Sequence, residues 1–388
     1  MGLWYSPGTD YTDMRVAVIH DWLTGMRGGE RVLEALLELY PSATVHTLFH
    51  QRGSVSPHIE SHPIVTSWLD SVPGIYRCYR NLLPLFPFAV ESLDLTGCDL
   101  VISSSHAVAK GVRCGKTPHI CYCHTPMRYV WDAEQDYDLS LVRKAGMAML
   151  RSRLRRWDVA SAARVDHFIA NSRFVRDRIR KYYRRDADVV HPPIDTTFFK
   201  PSGRGRDDFY LAAGALVPYK RFDLAIEAFN KLGKRLVIAG AGPELDTLRD
   251  MASSNVEFRG WVTDGELRRL YQSARALVFP GREDFGMIPV EAQACGCPVI
   301  AYRGGGSLET VQDGLSGIFF AEQNADHLIC AIRKFETLLW SDDRVRHQVE
   351  MFSREAFKTR IRKILDERQN RQDQQDRTKR TAVALQTA

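Results

Sequence analysis

At 388 residues the chain is long enough for two cores of ordinary domain size. Its 44% hydrophobic and 26% charged content is that of a globular protein, and no run of eighteen apolar residues offers a membrane span. A formal charge of +6 permits an anionic ligand, an acidic membrane face or nucleic acid and selects none of them.

Residues 1–13 lack the charged start and apolar core of a signal peptide and are expected to form a loose extension. A strand, MRVAVIH, follows at 14–20, then a loop with Gly25, Gly28 and Gly29, then a helix from Glu30 to Tyr40 with Val32, Leu33, Leu36, Leu37 and Leu39 at helical spacing. Further short apolar runs are TVHTLF, CDLVISSS, HICYCH, DHFIANS and DVVHPP, with the helical RFVRDRIRKYY between the last two. Strands alternating with helices predict a parallel sheet covered on both faces. The polar stretch 195–208 reads as a linker, after which the alternation restarts with DFYLAAGAL and runs to PVIAYRG. The expected division is therefore an extension at 1–13, one Rossmann-like domain at 14–195 and a second at 196–352. A helix at 353–369 is expected to return to the first domain, and 370–388 reads as a disordered tail. Two such domains imply a cleft at the carboxyl ends of their strands.

Several of the eight cysteines lie in apolar, strand-like runs, as small hydrophobes do. Two pairs have C-x-C rather than C-x-x-C spacing. Cys121, Cys123 and His124 lack a second pair of ligands nearby, so a reducing cytosol is the simpler reading than a zinc site.

The richest stretch is GREDFGMIPVEAQACGCPVIAYRGGG. Glu283 falls in the loop after the strand-like ALVFPG, and Pro289 suits a first helical turn. The amides of Phe285, Gly286, Met287 and Ile288 are thereby placed at a helix start, where anions bind. Glu291 lies one turn inside. Carboxylates repel phosphate but accept well from hydroxyls, so a diphosphate flanked by polyols would use every part. Solvated or helix-capping glutamates explain the spacing equally well. Lys220 is expected to begin the first helix of the second half, where an ammonium neutralises a diphosphate leaving group.

This stretch, with Glu283 and Glu291 separated by seven residues and followed by CGCPVIAYRGGG, resembles the retaining GT-B glycosyltransferases of family four. The likeness runs from Met14 to about Glu367 and is greatest to bacterial O-antigen and exopolysaccharide mannosyltransferases, through HDWLTGMRGGERV, SSSHAVAKG, HTPMRYVWD, ANSRFVRDRI, HPPID and LVPYKRFDLAIEAF. It implies a GT-B fold of two Rossmann-like domains, with Glu283 at the donor sugar hydroxyls and Glu291 at the nucleotide ribose. The Phe285–Ile288 amides would face sugar and phosphate, and Gly28 and Gly29 would close over the diphosphate. It also implies that His124 lies under the donor sugar, with His106 a second candidate. The family's upstream arginine is missing, since the text reads Gly214, Ala215, Leu216, and Arg221 is the candidate replacement.

The resulting expectation is transfer of a hexose, mannose from GDP-mannose, to a lipid-linked oligosaccharide with retention. His124, Glu283 and Lys220 would act by placement and charge. No cofactor and no metal are expected: the D-x-D pairs Asp136/Asp138 and Asp186/Asp188 sit in polar linking text. Aromatic and basic stretches at 76–90 and 142–158 read either as an anionic-membrane surface or as ordinary packed helices. The first reading puts the protein in the cytoplasm, peripheral on the inner face of the membrane. The alternatives are a UDP-sugar donor or a non-catalytic nucleotide- or glycan-binding protein. Nucleic acid is not expected, because no RNP-like or helix-turn-helix text accompanies the arginines.

Overall fold

The computed structural model describes residues 14–132 and 141–368, which fall into two units. The extension 1–13, the tail 370–388 and the pair Asp136/Asp138 lie outside the described residues. The first unit comprises the described parts of 14–171, 175–192 and 357–368, and the second takes 172–174 and 193–356.

In the first unit, short runs of aliphatic and β-branched residues form β1 (Val16–His20), β2 (Thr44–Thr47), β3 (Ile64–Thr66), β4 (Leu100–Ser105), β5 (His119–Cys123), β6 (His167–Ala170) and β7 (Ala187–Val189). They make one parallel sheet in the order β3-β2-β1-β4-β5-β6-β7. Every residue of β1, β4 and β5 is buried, as a parallel sheet covered on both faces requires. The period-2 pleat divides β1 between the two layers. Val16 and Val18 join one apolar cluster, and Ala17 and Ile19 the other.

The second unit repeats the plan with β8 (Tyr210–Ala213), β9 (Leu236–Ala239), β10 (Val256–Gly260), β11 (Leu277–Phe279), β12 (Val299–Tyr302) and β13 (Gly317–Phe320). Their order is β10-β9-β8-β11-β12-β13, again parallel. In both sheets the order of winding reverses beside the first strand, between β1 and β4 and between β8 and β11. Loops leaving those strands diverge there, which opens the crevice where such sheets hold ligands.

Two local expectations change. The first helix begins at Gly28, not Glu30, because extended Arg27 caps it and the Glu30 carboxylate accepts from the Arg27 amide at 3.0 Å. Lys220 does not begin a helix. It ends a short 3-10 turn, Pro218–Lys220, and Arg221 takes a left-handed φ of 56° before the Phe222–Leu232 helix starts.

The polar 195–208 stretch is pinned rather than loose: Arg206 donates to the carbonyls of Tyr271 and Ala274 and to Asp342. Helical residues 354–368 place Phe357, Ile361 and Leu365 four apart in the first unit's core, and Lys358 pairs with Glu38 at 3.0 Å. Within the Leu141–Ala162 helix, Leu154 is buried and Asp158 meets the buried Lys110 ammonium at 2.5 Å. Asp158 also accepts from Trp131 and Tyr183, so this part of the basic stretch packs as an ordinary covering helix while Arg153 and Arg156 face water. No helix among the described residues is long and apolar enough to cross a membrane.

His119 on β5 is fully buried, with Nε2 2.8 Å from Ser103 Oγ. Burial, with the nearby Arg164 and Lys110 charges, pushes its pKa down to about 3. The unfolded chain binds a proton here below about pH 6.5 that the native state refuses, so stability falls as pH falls through that window. By pH 5 the loss from this group is about 2 kcal/mol. The thermal midpoint of His119→Gln is expected to fall less between pH 7 and pH 5 than that of the parent protein; parallel slopes would assign the acid sensitivity to other groups.

Candidate functional site

The second unit's crevice is built from the loops after β8 and β11. The first carries Lys220 and the second Glu283, and the Lys220 Nζ lies 2.8 Å from Glu283 Oε1. The contact is close but poorly aligned for a hydrogen bond, so Oε1 is buried as half of an ion pair. Both side chains stay about one-sixth exposed or less, at 12% and 18%. That shelters the charges from screening yet leaves them reachable.

Gly286, with φ of 84°, caps the Met287–Ala294 helix directly after this loop. Amides in its first turn have no partner within the helix, and this helix start lies three residues from Glu283. Phe285 itself is core: its ring is buried and meets Phe352 edge-on. Only its backbone can serve a ligand. Met287 and Ile288 are half-buried.

Glu291 stands one turn inside the same helix. Its Oε2 accepts from the fully buried Tyr271 hydroxyl at 3.2 Å. Burial and the Glu291 charge raise the Tyr271 pKa well above its ordinary value, so the phenol remains a donor and fixes one carboxylate oxygen.

Two glycines make these loops fit together. A Cβ on Gly281 would stand 2.7 Å from the Lys220 Cα, so the β8 and β11 loops touch backbone to backbone there. A Cβ on Gly306 would stand 2.2 Å from the Phe285 Cα, and the Gly306 amide donates to the Glu283 carbonyl at 2.9 Å. The turn after β12 thus forms the floor of the Glu283 loop. Arg221 points elsewhere: its guanidinium forks onto Asp223 at 3.0–3.1 Å. Ala215 brings no charge to the edge.

In the first unit, β1 and β4 deliver a polar cluster to the carboxyl edge of their sheet. His124 follows β5, with Nε2 2.8 Å from Ser104 Oγ, and the same Oγ is 3.2 Å from His20 Nδ1. Asp21 is fully buried and accepts from the amides of His106, Ala107, Val108 and Ala109 at 2.6–3.0 Å. Burial alone would raise its pKa; the His106 imidazole and the amide donors outweigh it and hold the carboxyl below its usual range. Burial pushes His124 down to about 3, with His106 and His20 adding to the effect. His124 is therefore a neutral imidazole at neutral pH. Asn171 donates to the His124 carbonyl at 2.9 Å. Gly28 and Gly29 form the first turn of the helix after β1, with Gly29 against the rings of His20 and His124. Asp186 and Asp188 are engaged with Arg180 and with His167, respectively.

Comparison with known proteins matches the two halves of the chain separately. Residues 26–198 match the model of Glycosyltransferase Family 4, and residues 194–349 that of Glycosyl transferases group 1. Both halves of the chain are therefore glycosyltransferase domains, in a GT-B fold. A GDP-mannose-dependent alpha-(1-6)-phosphatidylinositol monomannoside mannosyltransferase from Mycolicibacterium smegmatis is 32% identical over 223 residues, 49% of this chain and 57% of that one. A D-inositol 3-phosphate glycosyltransferase from Mycobacterium avium is 35% identical over 162 residues, 36% of this chain and 38% of that one. The match thus spans about two-fifths to three-fifths of these relatives. Anabaena HepE, solved with UDP and glucose, superimposes with a TM-score of 0.68 over 91% of this chain and 99% of that chain at 17% identity. WaaG, a glycosyltransferase involved in lipopolysaccharide biosynthesis, does so at 0.65 over 90% and 99% with 16% identity. At such identities these likenesses show the fold alone.

Several of the site-building residues escape sequence reasoning: Tyr271, Gly281, Gly306, His20, Asp21, Glu30 and Ser104. The polar pair His20 and Asp21 ending an apolar strand, and the serine run closing β4, were the available signals. Tyr271→Phe removes the donor that orients Glu291 and leaves the core volume in place. If Glu291 holds the nucleotide, the substitution should weaken nucleotide binding by about three- to tenfold, less than loss of a direct hydrogen bond to a charged group, in a protein that still folds. Calorimetric titration checks this, and unchanged affinity would separate Glu291 from the nucleotide.

Proposed function

We propose that the protein is a retaining hexosyltransferase that moves mannose from GDP-mannose to a lipid-linked glycan in cell-surface polysaccharide synthesis. The observation that carries this reading is the sheltered Lys220–Glu283 pair at the switch point of the second sheet, beside the amide-bearing start of the Met287–Ala294 helix. A cation with free helix amides takes a diphosphate, while Glu283 and Glu291 accept from hydroxyls on either side of it. A nucleotide-sugar has that sequence of groups.

In this reading Glu283 holds the donor sugar, Glu291 the ribose, and Lys220 neutralises charge that develops on the departing diphosphate. The phosphate oxygen that leaves the sugar takes the proton of the attacking hydroxyl on the same face, so no side chain serves as base. No metal has a role. Mannose and guanine are supported by the name of the M. smegmatis relative. A second reading keeps the enzyme class and replaces the acceptor with an inositol phosphate or its lipid, because both relatives quoted above carry inositol in their names. Membrane association would follow from the lipid-linked acceptor.

Thermal stabilisation by GDP, UDP, ADP and their sugars, in EDTA and then with magnesium, tests the donor. Selective stabilisation by GDP compounds in EDTA is expected; a shift with UDP compounds discards mannose, and no shift with any nucleotide discards the enzyme reading. Glu283→Ala and Lys220→Ala should each lower kcat about 10²- to 10³-fold while the fold persists. Near-normal turnover in either removes that residue from the mechanism.

A further inference from the structure

Four polar side chains of the first unit form a line from the start of the Gly28–Leu39 helix to the carboxyl edge of its sheet. Glu30 Oε1 lies 3.6 Å from His20 Nε2, His20 Nδ1 lies 3.2 Å from Ser104 Oγ, and Ser104 Oγ lies 2.8 Å from His124 Nε2. Glu30, His20 and Ser104 are buried, at 4%, 1% and 0% exposure. Among the described residues His20 Nε2 has no hydrogen bond, and the Glu30 carboxylate lies 3.6 Å from it.

The proton order along this line follows from its ends. Burial would raise the Glu30 pKa, but the contact with His20 and the neighbouring His20 and His106 imidazoles outweigh it and hold the carboxyl below its ordinary value. The Arg27 amide occupies its other oxygen. An ionised Glu30 calls for a hydrogen on His20 Nε2, since a bare nitrogen there would set lone pair against lone pair. With a single ring hydrogen, on Nε2, His20 has a bare Nδ1 that accepts the Ser104 hydroxyl hydrogen. The Ser104 oxygen is left to accept, so His124 must carry its hydrogen on Nε2.

We propose that Glu30, His20 and Ser104 are positioning residues that hold His124 as the Nε2–H tautomer, so that Nδ1 presents a lone pair to a hydroxyl group of the ligand. The ligand part of this rests on the glycosyltransferase reading above; the tautomer does not. A neutral acceptor nitrogen takes a sugar or polyol hydroxyl and gives nothing to a phosphate, whose oxygens need donors. The first unit thus selects for hydroxyl where the second selects for anion.

Packing holds the ring as the hydrogen bonds hold the proton. Tyr122 and His106 meet the His124 ring near edge-on at centroid distances of 5.2 and 6.4 Å. A Cβ on Gly29 would stand 3.3 Å from His20 Cε1 and 3.8 Å from His124 Nε2, so glycine gives the two rings room.

The test is a long-range proton–nitrogen correlation spectrum of the ligand-free full chain labelled with ¹⁵N in its histidine rings, near pH 7.5. His124 is assigned by the signal missing from His124→Asn. The expected spectrum shows His124 with Nε2 protonated and Nδ1 bare, and Ser104→Ala converts it to a mixture of tautomers with Ser104→Thr restoring the order. A protonated Nδ1, an imidazolium at His124, or a doubly protonated His20 that drives the line the other way would overturn the proposal, as would an unchanged tautomer in a folded Ser104→Ala. Should Ser104→Ala fail to fold, the parent spectrum decides alone. In the transfer assay Ser104→Ala should lower kcat about tenfold with KM within about twofold, regained in Ser104→Thr. A merely structural serine would change the thermal midpoint but neither the tautomer nor that kinetic split. The spectrum needs no ligand, so absence of transfer with the expected tautomer overturns the glycosyltransferase reading and leaves the relay standing.

Discussion

The ligand edge of the second unit depends on how closely the loops after β8, β11 and β12 can approach. The winding order reverses between β8 and β11, so their loops leave in opposite senses and still meet at Gly281. With any side chain at 281 the two backbones would separate, and the Lys220 ammonium would leave Glu283. Gly306 imposes the same condition from below, because its amide and its bare Cα hold the Glu283 carbonyl and the Phe285 backbone. Chemistry at this edge is therefore set by backbone contact. Charge is placed on a frame that glycine makes possible, and the buried Phe285 ring anchors that frame in the core.

The two units use one topology for opposite electrostatic ends. The second puts a cation, a carboxylate and a helix start at its switch point. The first puts three imidazoles there, and of its carboxylates Glu30 faces His20 while Asp21 accepts from four backbone amides of the 106–109 turn. That turn brings His106 against Trp22 and beside His124. Burial keeps the His124 imidazole uncharged where water is scarce. A sheet edge lined by neutral donors and acceptors recognises hydroxyls; one with fixed charge and free amides recognises phosphate. On the proposed reading, repeating the fold with different residues at its switch point gives two kinds of recognition from one architecture.

Architecture was legible in the sequence because it rests on periodicity. Runs such as MRVAVIH and RLVIAG are buried on both faces, and the apolar spacing of the Gly28–Leu39 helix is regular enough to read directly. The positions of Glu283 after a buried strand and of Glu291 one turn inside a helix were legible, while spacing left their role open and only the resemblance pointed to a ligand. What stayed hidden depends on contacts between residues far apart in the chain. His20 meets Ser104 across 84 positions, and Tyr271 reaches Glu291 from a neighbouring helix, so no local pattern announces either. The start of the first helix and the placing of Lys220 turned on single backbone torsions, at Arg27 and Arg221, which composition does not encode. Of the two readings offered for the basic stretch, Leu154 and Asp158 support the packed helix. Their inward contacts became visible only once Lys110 and Tyr183 were in place.

The alanine at 215 has a consequence for how charge is divided in the second unit. The resemblance implies a second cation near the diphosphate, and the candidate replacement, Arg221, is forked onto Asp223 by a bond to each carboxylate oxygen. Lys220 is itself paired with Glu283, so the pair is close to neutral before any ligand arrives. On the proposed reading, the pull on a diphosphate then falls to the helix-start amides at 286–288, helped by the share of the Lys220 charge that Glu283 gives up when it turns to a sugar hydroxyl. Donor sugar and leaving group are thereby linked. A hydroxyl that occupies Glu283 frees the ammonium for the phosphate, and a nucleotide without its sugar leaves the ion pair closed. Such coupling stabilises charge most when a complete donor is present, which is the condition under which transfer is useful and hydrolysis of an empty nucleotide is not.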